Sequence, residues 1–166
     1  MGSEMCIRDS GNAAGYSGQL EFAVAVGNSA GYDGQKARAV AIGVECGASG
    51  QGASAVAIGE AAGRNGQSNN AIAIGQYAGY TTQGSGAVAI GAGAGNGYAV
   101  PQGDFAIAIG VSAGGASQGA RSIILNASGF EVNRTTTDAL FINPIRYDGT
   151  QTQTLLYNST TKEVVF

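Results

Sequence analysis

The chain has 166 residues, 29 of them glycine, and it contains neither histidine nor tryptophan. The net charge is −3, from 8 Lys+Arg against 11 Asp+Glu, and the sequence forms no basic cluster. This argues against nucleic acid as a partner, because phosphate binding needs clustered Lys and Arg. No apolar run is long enough to cross a bilayer, so we expect no direct membrane insertion.

The first ten residues, MGSEMCIRDS, differ in pattern from the rest of the chain. The stretch SEMCIRDS resembles translated library-adaptor sequence, which often begins open reading frames assembled from environmental DNA. We therefore expect residues 1–10, including Cys6, to be a non-native leader, and the natural protein to extend further toward its N-terminus.

A sixteen-residue repeat begins at Gly11 and dominates the chain. Each repeat opens with Gly, carries a second Gly four residues later, then a Gln, and closes with a phrase such as A-V-A-I. Such a period is typical of stacked structural units. The seven repeats cover 11–26, 27–42, 43–58, 59–74, 75–90, 91–109 and 110–125, the sixth with three extra residues.

The A-V-A-I phrase predicts a short β-strand with Ala on one face and Val or Ile on the other. Two arrangements are open: the Val/Ile row fills the coil and leaves a flat Ala face, or it forms an outer stripe that needs cover. Either one favours self-association. The row consists of Val24, Val26, Val40, Ile42, Val56, Ile58, Ile72, Ile74, Val88, Ile90, Ile107 and Ile109.

A strand every sixteen residues is too frequent for crossover helices, so the repeat predicts an all-β parallel β-roll or solenoid. Seven coils at the usual strand spacing make a rod roughly 34 Å long. The Gln column predicts a ladder of amides bonded from coil to coil, with a polar contact stripe as the alternative. Its members are Gln19, Gln35, Gln51, Gln67, Gln83, Gln102 and Gln118.

Tyrosines and the insertion are the candidate recognition features. Tyr16, Tyr32 and Tyr80 share one column with Tyr77 nearby, and they either edge the coil or form a surface stripe able to stack on sugars. The three-residue insertion predicts a loop with Asn96, Tyr98 and Pro101 as candidate recognition residues, or else a neutral bulge.

Residues 127–166 form a separate β-rich segment in this prediction. Leu155–Tyr157 and Glu163–Phe166 read as two strands of a hairpin, joined by the turn-like residues 158–161. The last strand is incomplete as a hairpin arm, so we expect the segment to be truncated and the chain to be a fragment.

The repeated phrase A-V/I-A-V/I-G followed by A-x-G, from residue 11 to about residue 126, resembles the head repeat of trimeric autotransporter adhesins, the YadA-like head. Those heads commonly use a slightly shorter repeat. The chain is also similar to sixteen-residue arrays in fibre-like proteins of phages and large algal viruses, and FINPIR (141–146) and LLYNSTTKEV (155–164) resemble the segment that follows such arrays. The resemblance implies a left-handed β-roll in which three chains pack together.

The sequence offers little for catalysis. Without His, no Ser-His-Asp or Cys-His arrangement exists, and the acids are scattered, so we expect no enzyme, no metal site and no cofactor. The stretch GAGAGNG (91–97) consists partly of the repeat's own glycines and precedes no helix, which disfavours a phosphate loop. Cys46 occupies a column held elsewhere by Ala, which predicts a small buried residue.

The function expected from these features is a non-enzymatic fibre module of a viral tail or surface fibre, a homotrimer located on a virion or cell surface. Its external partner would be a host glycan or protein receptor. The alternatives are the head of a bacterial trimeric autotransporter adhesin and a monomeric solenoid with a flat, ice-binding face. Ice binding would call for regular Thr columns, whereas Thr81 and Thr82 are isolated.

Overall fold

The structure, a computed structural model, describes residues 8–145, 156–158, 160, 161, 164 and 165. It is an all-β parallel solenoid of about eight coils, as the repeat predicts. No helix in the described part is long and apolar enough to span a membrane. The strands are β1 (Arg8–Ser10), β2 (Val24–Val26), β3 (Val40–Ile42), β4 (Val56–Ile58), β5 (Ile72–Ile74), β6 (Val88–Ile90), β7 (Ile107–Ile109), β8 (Ala113–Gln118), β9 (Ile123–Asn126), β10 (Val132–Arg134), β11 (Leu140–Asn143), β12 (Leu156–Tyr157) and β13 (Val164–Val165).

One wall of the solenoid is a nine-stranded parallel sheet in the order β1-β2-β3-β4-β5-β6-β7-β9-β11. Its register is set by the repeat, because Val24 pairs with Val40, Val40 with Val56 and Val56 with Ile72. The opposite wall is narrower. In most coils it consists of single bridges to the next coil, such as Ser49 with Asn65 and Gln67 with Gln83, and β8 pairs with β10 near its end.

The core of the solenoid is made of alanine. Both Ala positions of each A-V-A-I phrase are fully buried, as in Ala71 and Ala73. The second of them packs against a further Ala column that includes Ala62 and Ala78. The structure thereby decides between the two arrangements left open by the sequence. Alanine lines the interior, and the Val/Ile row faces outward.

Glycine permits the tight turn that follows each strand. Gly63 has a φ of +54°, and a Cβ on it would lie 2.8 Å from Gln67 Oε1, so the position excludes a side chain both by conformation and by space. Two further positions in each coil adopt left-handed φ, and most of them are not glycine, as at Glu45 (+54°) and Ser54 (+57°). Their strain is tolerated because the backbone amides there still bond to the preceding coil, from Glu45 N to Asn28 O and from Ser54 N to Ala37 O.

The sheet continues beyond both ends of the repeat array. Arg8–Ser10 pair with β2 in the repeat's register although their sequence lacks its pattern, because backbone pairing does not require particular side chains. At the other end β11 pairs with β9, so the stack runs past Asn126 to Asn143. The origin of residues 1–10 stays a prediction.

The last coils have a larger core. Ile124 takes the inward place that Ala108 holds in the previous coil and is fully buried, and Phe141 pairs with Ile124 in the next one. Beyond this point, Leu156 pairs antiparallel with Val165 and Tyr157 with Val164. The predicted hairpin is therefore confirmed for its described residues; Leu155, Ser159, Glu163 and Phe166 lie outside them.

Candidate functional site

The outer face of the large sheet is a continuous apolar stripe. In each strand the first and third side chains point out, and the third is about two-fifths exposed in Val26, Ile42 and Ile109. The stripe extends past the predicted row through Leu125 and Ile142. Eight successive strands, β2 to β7 with β9 and β11, give it a length of about 34 Å.

Covering this stripe would stabilise an assembly. Full burial of one aliphatic side chain contributes about 2 kcal/mol, and these side chains are already half-buried in the single chain. Covering the twelve predicted Val and Ile side chains would thus contribute on the order of 10 kcal/mol before the entropy of association is subtracted. The stripe is the surface of this molecule best suited to contact another protein chain.

The Gln column lies inside the coil. Gln67 Nε2 donates to Val56 O at 2.8 Å, to Ala71 O at 3.1 Å and to Gln83 Oε1 at 3.2 Å. The same amide-to-amide bond joins each Gln to the next from Gln35 to Gln118. Because these side chains are fully buried, the column is a structural ladder and not a contact stripe.

Gln19 does not take part in the ladder, which corrects the prediction for this residue. Its Nε2 and the Oε1 of Gln35, the two atoms that would form the first bond, both lack a hydrogen-bond partner. Gln19 belongs to the first repeat and is only half-buried, so its side chain is less enclosed than those of the interior coils. The ladder begins at Gln35.

The tyrosines form two separate groups instead of one column. Tyr16 and Tyr32 stack with ring centroids 5.0 Å apart and planes 7° apart. Tyr80 meets Tyr77 edge-on at 5.5 Å and Tyr98 of the insertion at 6.0 Å. The groups are separated because the two intervening coils carry Ala48 and Arg64 in the Tyr position.

Arg64 is the member of this surface that sequence reasoning missed. Its Nη1 donates to Tyr80 Oη at 2.8 Å, its Cζ lies 5.7 Å from the Tyr80 ring centroid, and its Nε lies 3.1 Å from Glu45 Oε2. The hydrogen bond to Tyr80 is the main cause of a raised Arg64 pKa. The period itself was the available signal, since residue 64 follows residues 16, 32 and 48 at intervals of sixteen.

The insertion forms a bulge, but its predicted recognition residues do not lie together. Tyr98 and Pro101 are exposed, whereas Asn96 is buried, which corrects its place among the contact residues. The bulge is hydrogen-bonded to the next coil, because Ala99 N and Val100 N both donate to Ala116 O. Asn96 occupies the position that Tyr80 holds in the preceding coil, and the extra residues follow it.

Cys46 is fully buried in the alanine core, as its column predicts. Burial raises the pKa of its thiol to about 12, although a hydrogen bond from the Cys46 backbone acts in the opposite direction. The neutral thiol donates from Sγ to Gly43 O. A neutral, enclosed thiol is a poor nucleophile. Among the described residues, no group of three or more His, Cys, Asp or Glu side chains is placed to hold a metal ion.

Comparison of the chain with protein-family models, with curated proteins and with solved structures finds no match in any of the three.

Proposed function

We propose that the chain is a non-enzymatic structural and adhesive module, a rigid rod of a viral tail or surface fibre that takes part in attachment to a host. Three copies pack together through the stripe of outward Val and Ile side chains. The proposal places the module on a virion or cell surface, with a host glycan or protein as its external partner.

The observation that carries the proposal is the length and regularity of the apolar stripe. A row of half-exposed Val and Ile on eight consecutive strands is larger than the apolar patches that monomeric proteins usually leave in water. The number three comes from the resemblance of the repeat to YadA-like heads and viral fibre arrays. Backbone bonding between every pair of neighbouring coils supports the role of a stiff spacer.

The mass of the full chain in solution tests the assembly. Size-exclusion chromatography with light scattering should give three times the chain mass of 16.4 kDa, about 49 kDa. A monomer that persists at high protein concentration would overturn the proposal, and a dimer would overturn the threefold arrangement.

The head of a bacterial trimeric autotransporter adhesin is the second candidate, favoured by the same stripe and the same A-V/I-A-V/I-G phrase. The two candidates differ in the segments that the complete gene encodes downstream of the array. A coiled-coil stalk and a membrane anchor downstream of residue 166 would identify the adhesin, whereas further fibre segments would identify the viral protein.

A further inference from the structure

The column that comes directly after the second glycine of each repeat contains a gap. Tyr16 and Tyr32 stack one coil apart with nearly parallel rings, and two coils further on Arg64 lies over the ring of Tyr80. Between Tyr32 and Arg64 the column holds only the methyl group of Ala48. A groove of about 220 Å³ lies at this place, with Tyr32 and Arg64 on either side and Ala48 as its floor.

The width of this gap suits one flat ring. Neighbouring coils are about 4.8 Å apart, so Tyr32 and Arg64, two coils apart, are separated by about 9.6 Å along the solenoid. A ring inserted midway would lie about 4.8 Å from each, close to the 5.0 Å at which Tyr16 and Tyr32 stack. The groove is smaller than the pockets of roughly 300 Å³ and above that hold drug-sized ligands, which also indicates a single ring.

The Arg64 side of the gap is fixed before any ligand arrives. Its guanidinium is held by Glu45 at 3.1 Å and by Tyr80 Oη at 2.8 Å, on two different coils. A side chain already ordered loses little entropy on binding. The ion pair with Glu45 also neutralises the charge of Arg64, so the gap does not select for an anion.

The edges of the groove define the chemistry of the ring. Glu45, Ser49 and Asn65 line it with a carboxylate, a hydroxyl and an amide, which together both donate and accept hydrogen bonds. A purely aromatic ring would make no hydrogen bond to the side chains of Ser49 and Asn65. A nucleotide would bring phosphate to a chain of net charge −3. A ring with an apolar face and hydroxyl groups around its edge satisfies both the Tyr32 face and the polar rim.

We propose that the gap at Ala48, between Tyr32 and Arg64, binds one neutral pyranose ring of a glycan. The C–H face of the sugar packs on the Tyr32 ring, and its hydroxyl groups bond to the side chains of Glu45, Ser49 and Asn65. A role of this site in contacting a host receptor rests on the proposed attachment function, whereas the binding of a sugar does not.

The test is a titration of the full chain with the methyl pyranosides of glucose, galactose, mannose, N-acetylglucosamine and N-acetylgalactosamine. Binding is followed by saturation-transfer NMR and by tyrosine fluorescence, which no tryptophan obscures. We expect saturable binding of at least one of these sugars with a dissociation constant of about 1 to 10 mM, ordinary for a single small ligand.

Two variants locate the binding. Ala48→Tyr fills the gap with the residue that the same column carries at positions 16, 32 and 80, so the fold should persist while affinity falls at least about tenfold. Tyr32→Ala removes one wall and should weaken binding similarly. Tyr98→Ala is the control, because it removes an exposed tyrosine that does not line the groove and whose ring lies next to Tyr80, so affinity should be unchanged.

Three results would overturn the proposal. They are the absence of binding for every sugar up to about 100 mM, undiminished binding by Ala48→Tyr, and binding of N-acetyltyrosinamide in place of the sugars, which would assign the gap to an aromatic side chain of a protein. Light scattering on the same samples separates this test from that of the proposed assembly. If a variant loses sugar binding while its mass in solution is unchanged, the result bears on the gap and not on the proposed assembly.

Discussion

At the scale of single residues, Cys46 shows how closely each position is adapted to the solenoid. It replaces alanine in an otherwise regular column, and the core accepts the thiol because its Sγ bonds to Gly43 O. Burial disfavours the charged thiolate and raises the pKa of the thiol to about 12, from an ordinary value of 9.0.

This pKa predicts a specific loss of stability in alkali. Below pH 9 the thiol is neutral in both states, but above it the unfolded thiol ionises while the folded one stays protonated until about pH 12. From pH 8 to pH 10 the free energy of unfolding should therefore fall by about 1.4 kcal/mol more with Cys46 than with Cys46→Ala. Urea unfolding of both proteins in a Cys6→Ser background measures the difference. Parallel pH profiles would contradict the predicted burial of the thiol.

At the scale of the repeating element, the buried Gln ladder supplies hydrogen bonds inside the coil, which alanine side chains cannot make. Each Gln amide bonds to the carbonyl of the first residue in the preceding strand and to the next Gln, as Gln51 does to Val40 O at 2.8 Å and to Gln67 Oε1 at 3.2 Å. Buried carbonyl groups need such partners. The ladder therefore ties neighbouring coils together from the inside, while the sheet bonds tie them at the wall.

Replacing one Gln of the ladder should destabilise the fold markedly. Gln67→Leu keeps the side chain's size but leaves Val56 O without that donor and Gln83 Oε1 without a partner, so we expect a loss of about 3 kcal/mol in unfolding free energy. Gln76→Leu is the control, because the Gln76 side chain is exposed and bonds to the exposed Glu60 side chain, and it should cost less than about 0.5 kcal/mol. Chemical unfolding at one protein concentration compares them. Similar losses would refute a structural role for the ladder.

At the scale of the whole molecule, the solenoid presents one long apolar surface and one interrupted polar and aromatic column. The stripe is uniform because every coil contributes the same two side chains, and uniformity suits packing between identical rods. The Tyr and Arg column is irregular, and its irregularity creates the gap at Ala48. The proposed assembly uses the regular stripe, and the proposed sugar site uses the irregular column.

One charge in the stripe should therefore dissociate the proposed trimer. Ile74 is half-buried in the single chain and lies mid-stripe, so Ile74→Asp places a carboxylate where the other rods would pack and should shift the mass toward the monomer. Asn69→Asp adds the same charge at an exposed site whose Oδ1 can still accept from Ala53 N, and it should leave the mass unchanged. Light scattering distinguishes the two. Equal tolerance of both substitutions would refute the assigned interface.

The sequence alone determines the sixteen-residue coil, the strand in each repeat and the parallel register, and it predicts a Gln ladder whose burial the structure then shows. These features arise from local preferences repeated at a fixed period, and stacking gives every copy the same neighbours. The hairpin near the C-terminus is local as well, since its turn and its two strands lie within a dozen residues.

The tertiary structure alone decides which face of the strand points inward. Both faces are apolar, so periodicity cannot separate them. In the regular coils the thin interior also encloses the Gln row and is filled by Ala, and the larger Ile124 takes the inward place at the end of the array. The burial of Asn96, the continuation of the sheet to Asn143 and the gap at Ala48 likewise depend on what neighbouring coils place beside each residue. The repeat sets where each residue lies within a coil. Contacts between neighbouring coils decide whether a residue that departs from the repeat is buried, is exposed or leaves a gap.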